Sequence, residues 1–196
     1  SLVREGWDVV LIDLRNHGRS TWGPSGWGGL EANDVRIVVD QLVKEKLISD
    51  EIYAMGISLG GCVAMLYSQS DPRCKGVLAV VPVDGIRGIV ERTHFGPEPV
   101  EEKIVSLAAE SGVDPVKATP SEMGKQATIP LIMVTAWFDI VVPSEQTDRI
   151  YENWGCANKR KVSIPGGHGS IQIGTNWVFQ IGMNDLREMA AEKAKP

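Results

Sequence analysis

The sequence predicts an α/β fold: a mostly parallel sheet with helices on both faces and a small lid excursion over the sheet's C-terminal edge. Short β-branched runs alternate with longer stretches of helical periodicity, which is the signature of parallel strands joined by crossover helices. The strand runs are continuously apolar rather than alternating, as expected where both faces of a sheet are covered. The chain of 196 residues, 43% hydrophobic and 23% charged, suits one globular domain. A domain of that size buries roughly 70% of the surface of its unfolded chain and needs neither disulfides nor a structural metal.

Trp7 to Asp13 reads as a buried strand, followed by a Gly/Ser/Trp-rich loop over Asn16 to Gly29. Residues 31 to 47 place Val35, Val38, Val39, Leu42 and Val43 on one helical face. Glu51 to Met55 is the next strand and leads into Gly56, and Leu59 to Tyr67 is a helix apolar nearly all round. Gly76 to Val83 and Leu131 to Thr135 are two further strands, Lys161 to Ile164 a shorter one, and Asn176 to Ala194 the closing helix. Ile86 to Ile129 is too long for an ordinary connection. It carries Pro97, Pro99, Pro115 and Pro120 around one clear helix, Glu98 to Glu110, and reads as a lid within a single domain spanning residues 1 to 196.

A net charge of −5 without any basic stripe argues against nucleic acid or an anionic membrane as partner. No apolar run approaches the roughly 20 residues of a membrane span, and the first residues lack a signal-peptide core. Cys62, Cys74 and Cys156 fit neither a disulfide framework nor a zinc site, which favours a reducing, cytoplasmic compartment. No nucleotide motif or metal cluster stands out, so cofactor-free chemistry is expected.

Gly56-Ile57-Ser58-Leu59-Gly60 matches Gly-x-Ser-x-Gly at a strand-to-helix junction, where the motif presents a nucleophile on a tight turn. There the helix N-terminus and the N–H of Leu59 meet developing negative charge. A serine hydroxyl needs a base, and the chain offers His17, His94 and His168. His168, in the glycine loop after the last strand, is the expected base. The imidazole needs an anion to fix its tautomer. Asp139, directly after the preceding strand, is preferred over Asp84, whose Asp-Gly pair reads as a turn former.

The order Ser58, Asp139, His168 on an alternating β/α chain resembles the α/β-hydrolase superfamily, in its branch of small serine esterases and serine aminopeptidase-like enzymes. Asp13-Leu14-Arg15-Asn16-His17-Gly18-Arg19-Ser20 is similar to that family's Asp-x-x-Gly-His-Gly-x-Ser loop, with Asn16 in place of glycine, which makes His17 a structural loop residue. Asp139-Ile140-Val141-Val142-Pro143 resembles the stretch around the family's acid, while Thr135-Ala136 stands where many relatives have His-Gly. In the family three strands and a helix precede the strand at Trp7 to Asp13. The resemblance therefore implies that on the order of 50 residues, at typical element lengths, lie before this sequence. They include the loop that supplies the second oxyanion N–H, leaving Leu59 as the backbone donor, and Gly6 is expected to terminate the first helix.

These readings converge on a serine hydrolase acting on a small-molecule ester or acyl substrate. Peptidase or thioesterase chemistry and a non-catalytic scaffold are the alternatives. Trp22, Trp27, Trp137 and Phe138 are candidate walls of an apolar acyl pocket, with ordinary packing as likely for the first two. Cys62 is expected to be a small core hydrophobe, Glu31 and Asp34 to complement their helix dipole, and Glu98, Glu101 and Glu102 to form a solvated face.

Overall fold

The computed structural model describes residues 1–172 and 176–193. Its sheet consists of β1 (Ile52–Ile57), β2 (Cys74–Val80), β3 (Leu131–Ala136) and β4 (Lys159–Ile164), all parallel and in the spatial order β1-β2-β3-β4. The central strand β2 is buried on both faces, which is why its sequence is apolar without alternation. On one face lie α1 (Gly29–Lys44), α2 (Leu59–Ser70) and α6 (Ser144–Asn153); on the other lies α7 (Asn176–Lys193). The last residue expected in that closing helix, Ala194, lies outside the described residues.

Helix α2 is the central helix of the first face. Val63, Met65, Leu66 and Tyr67 are buried between β1, β2 and α1, each contributing about 1.5–3 kcal/mol of apolar burial. Helix α7 covers the second face with Val178, Met183, Leu186 and Met189 against Leu78, Val80, Ile132 and Val134. A short 3-10 turn, Leu2–Glu5, ends at Gly6 with φ 82°, as its expected role of terminator requires. It is strapped to α7 by Trp7, whose indole N–H donates to Asn184 Oδ1 and whose ring lies under Arg187.

The expected strand at Trp7 to Asp13 does not form. The segment is irregular, no strand pairs with it among the described residues, and Leu11 is 88% exposed. A β pattern needs a neighbour to complete its backbone hydrogen bonds, and side-chain periodicity does not supply one.

The excursion between β2 and β3 carries more structure than its one expected helix. It contains α3 (Gly85–Thr93), α4 (Val100–Ser111) and α5 (Pro120–Met123). Ile86, Val90, Ile104, Ala108 and Ala118 build a small core of their own, with Trp27 packed against it. Trp27 is therefore not a free pocket wall: its indole N–H donates to Ser111 Oγ on α4 at 2.8 Å. Trp22, 86% exposed, packs against nothing in the core.

Candidate active site

β1 runs into Ser58, and α2 starts at the next residue. The reversal between them forces Ser58 to φ 54° and ψ −116°, outside any regular element, a conformation that costs about 1–3 kcal/mol and persists only when its surroundings hold it. Here β2 and α2 hold it. Ser58 N–H donates to Val80 O at 2.8 Å, and Ser58 O accepts from Cys62 N–H in α2 at 3.1 Å and from Val83 N–H, just past the strand, at 3.4 Å. Leu59 is the first residue of α2, so its N–H has no acceptor within the helix.

The structure brings Ser58, His168 and Asp139 together. His168 Nε2 lies 3.0 Å from Ser58 Oγ, and Nδ1 lies 2.8 Å from Asp139 Oδ2. With Nδ1–H donated to the carboxylate, Nε2 is left as acceptor for the serine hydroxyl. The other oxygen of Asp139 is also engaged: Val141 and Val142 N–H both donate to Oδ1 at 2.8 Å, so the carboxylate is oriented from two sides. The two loops are joined by Phe138 N–H, which donates to Gly166 O at 3.0 Å, and the histidine loop closes on itself through Gly167 N–H to Ser170 Oγ at 2.9 Å. Parallel neighbours β3 and β4 thus deliver acid and histidine at the same sheet edge.

Asp84 is not at this centre; it stands at the turn that its Asp-Gly pair predicts, with Gly85 at φ 56°. It is fully buried at the start of α3, where its carboxylate accepts from Ser121 N–H at 2.8 Å, Ser121 Oγ at 2.7 Å and Arg149 Nε at 2.9 Å. Burial pushes the Asp84 carboxyl up, against the opposing effect of those bonds. For Arg149, burial works against the charge, and the Glu91 and Asp84 carboxylates more than offset it, holding the guanidinium up. Gln146 completes the cluster, donating to Gly88 O at 2.9 Å. None of Ser121, Gln146 and Arg149 was singled out from the sequence; the signal available was the i, i+3 spacing of Gln146 and Arg149 on one helix.

His17 and His94 are used locally, each with a ring nitrogen on a nearby carbonyl, Arg15 O at 2.9 Å and Glu98 O at 2.8 Å. Asn16 adopts φ 65°, the left-handed conformation that asparagine tolerates best among non-glycine residues. Asp34 takes Arg15 in a two-pronged pair at 2.7 Å, and Glu31 caps its helix by accepting from Gly26 and Gly28 N–H at 2.9 Å. Glu101 pairs with Arg87, and Cys62 is fully buried, its thiol pushed up first by desolvation. Trp137 and Phe138 follow β3 at 61% and 72% exposure, and Trp137 joins Thr135, Asp139, Lys161 and Ser163 in lining a cavity of about 250 Å³.

Among the described residues no cluster of His, Cys, Asp and Glu could hold a metal ion, and no helix is long and apolar enough to cross a membrane. No curated protein matches the chain in sequence. Among solved structures it is similar to the Pyrococcus furiosus esterase Pf2001, with TM-score 0.69 and 22% identity over 93% of this chain and 71% of the other. It is similar to Est1E from Butyrivibrio proteoclasticus, solved with ferulic acid bound, at TM-score 0.67 and 20% identity over 90% and 76% of the two chains. Acetyl xylan esterase 1 from Thermoanaerobacterium sp. JW/SL YS485 matches at 0.64 and 17% over 96% and 68%. These likenesses concern the fold. The family model of the alpha/beta hydrolase fold matches residues 1–105, more than half of the sequence, and the chain belongs to the alpha/beta hydrolase fold family.

Proposed function

We propose that the protein is a serine hydrolase that cleaves carboxylic esters through an acyl-enzyme on Ser58. The observation that carries the proposal is the unbroken line of contacts from Ser58 Oγ to His168 Nε2 at 3.0 Å and from His168 Nδ1 to Asp139 Oδ2 at 2.8 Å. In the first half-reaction Ser58 Oγ attacks the ester carbonyl carbon while His168 Nε2 takes the hydroxyl proton. The carbonyl oxygen becomes an oxyanion, met by Leu59 N–H and the positive end of α2. The C–O bond to the leaving group breaks as the imidazolium returns the proton to the departing alcohol. Water then gives its proton to His168 and attacks the acyl carbon, and Ser58 leaves with that proton. Asp139 holds the imidazole tautomer and stabilises its charged form throughout.

Trp137 and Phe138 serve as the aromatic rim for a small acyl or alcohol group, and residues 86 to 129 act as the lid of the same domain. The triad does not choose the leaving group. Esters are favoured because the similar structures named above are esterases, and matched ester and amide substrates separate this from a peptidase. The deciding experiment is intact-mass labelling with a fluorophosphonate, which should add one adduct to the wild type and none to Ser58→Ala. A folded wild type without adduct would overturn the proposal in favour of a non-catalytic scaffold.

A further inference from the structure

We propose that Val81 and Pro82, at the end of β2, form a bulge that positions the Ser58 peptide and through it the Leu59 N–H. The inference rests on Ser58 being the nucleophile. β1 and β2 pair in register up to Ile57 and Val80, so the next pair in a regular parallel ladder would be Ser58 and Val81. That ladder has two bonds: Ser58 N–H to the carbonyl of residue 80, and the N–H of residue 82 to the Ser58 carbonyl. The first is present at 2.8 Å. The second is impossible, because residue 82 is proline and has no N–H. The donor from this strand is Val83 instead, one residue farther along at 3.4 Å, beside the intrahelical bond that Cys62 N–H makes to the same oxygen at 3.1 Å.

Val81 makes that substitution possible by turning left-handed, with φ 41°. The conformation is unfavourable twice over, since Val81 is β-branched and precedes a proline. Its N–H is held by Val134 O at 2.7 Å, and its side chain is 1% exposed in the wall of the cavity beside Asp139 and Val142. Pro82 lies against the first turn of α2, where a Cβ on Gly61 would come within 3.1 Å of it. Packing on both sides therefore keeps the bulge in place. Bulges beside active sites commonly re-aim a group in this way.

The chemical consequence follows from the planarity of the peptide. The Ser58 carbonyl and the Leu59 N–H belong to one trans unit and point in opposite directions. Cys62 N–H holds that carbonyl along the helix and Val83 N–H holds it from the strand side, and together they fix the Leu59 N–H on the other side, where the oxyanion forms. Val81 and Pro82 are positioning residues: they touch no substrate and act through Ser58.

Pro82→Ala restores an N–H at position 82 and lets the regular ladder close, whereas Val81→Gly accepts the left-handed turn without steric cost and leaves the bulge in place. Both variants should stay folded by circular dichroism. Pro82→Ala should lower kcat for a short-chain aryl ester at least tenfold, with KM within about twofold, while Val81→Gly should keep kcat within about twofold of wild type. Pro82→Ala should also weaken binding of a phenylboronic acid, which mimics the tetrahedral oxyanion, by a similar factor. A folded Pro82→Ala protein with kcat and boronate affinity within twofold of wild type would overturn the positioning role alone. A wild type that takes no fluorophosphonate would overturn the nucleophile reading and this one with it.

Discussion

A Cβ on Gly56 would stand 2.0 Å from the carbonyl oxygen of Gly60, so strand and helix can approach closely enough to turn at Ser58 only if residue 56 has no side chain. The second motif glycine is different: a Cβ on Gly60 meets nothing within 4 Å. Gly56→Ala should therefore destabilise the protein by about 3 kcal/mol or more. Gly60→Ala should be neutral or stabilising by up to about 1 kcal/mol, through helix propensity. Urea unfolding of the two variants checks this, and equal losses would show that the motif glycines act alike.

Ser58→Ala should remove ester turnover by about 10⁶-fold, as loss of a triad nucleophile does. Asp139→Asn should lower kcat by about 10⁴-fold with little change in KM, because an amide does not enforce the tautomer in which Nε2 accepts the serine proton. Steady-state kinetics with an aryl ester, alongside circular dichroism, reads both. An Asp139→Asn enzyme at full kcat would remove Asp139 from the mechanism.

Arg149→Met should cost about 3 kcal/mol, because it leaves the buried Asp84 carboxylate without its cation. Arg36→Met should cost no more than about 0.5 kcal/mol, since its pair with Asp40 lies exposed on one helix. The contrast is measured by denaturant midpoints at pH 7. Similar small losses would mean that the two Ser121 bonds suffice for Asp84.

Stability should fall as pH rises above about 9. Burial pushes the Cys62 thiol well above its ordinary value of 9.0, and pushes Cys74 up to about 12. Burial also pushes the Tyr53 phenol up to about 12 and Tyr67 higher still. These groups keep their protons in the folded protein, while the unfolded chain releases them from about pH 9 to 10. The unfolded state then binds fewer protons, so unfolding is favoured by rising pH. The urea midpoint should drop between pH 8 and pH 10.5, and Cys62→Ala should make that drop shallower. A constant midpoint would contradict the burial of these groups.

Much of the fold was legible because each local signal had a local cause. The β2 and β3 runs are apolar throughout since helices cover both faces, and α1 shows its stripe because only one face is covered. Helix α6 escaped notice for the opposite reason. Its buried positions include Gln146 and Thr147, polar residues turned inward, and Gln146 serves the backbone of Gly88. Helix α3 was masked by the Asp84-Gly85 pair, which reads as a turn, although Ile86 and Val90 form a buried stripe.

By itself the sequence determined the class of the fold, the strand-turn-helix that presents Ser58, and the short set of residues able to work with it. Periodicity and turn chemistry act within a few residues, so they are written locally. Tertiary structure alone decided that Trp7 to Asp13 has no ladder partner among the described residues, and that Asp84 is enclosed by Ser121 and Arg149. It also decided that His168 and Ser58, 110 residues apart, lie within hydrogen-bond reach. A side-chain pattern states that a face will be buried; which element covers it depends on packing across the whole chain.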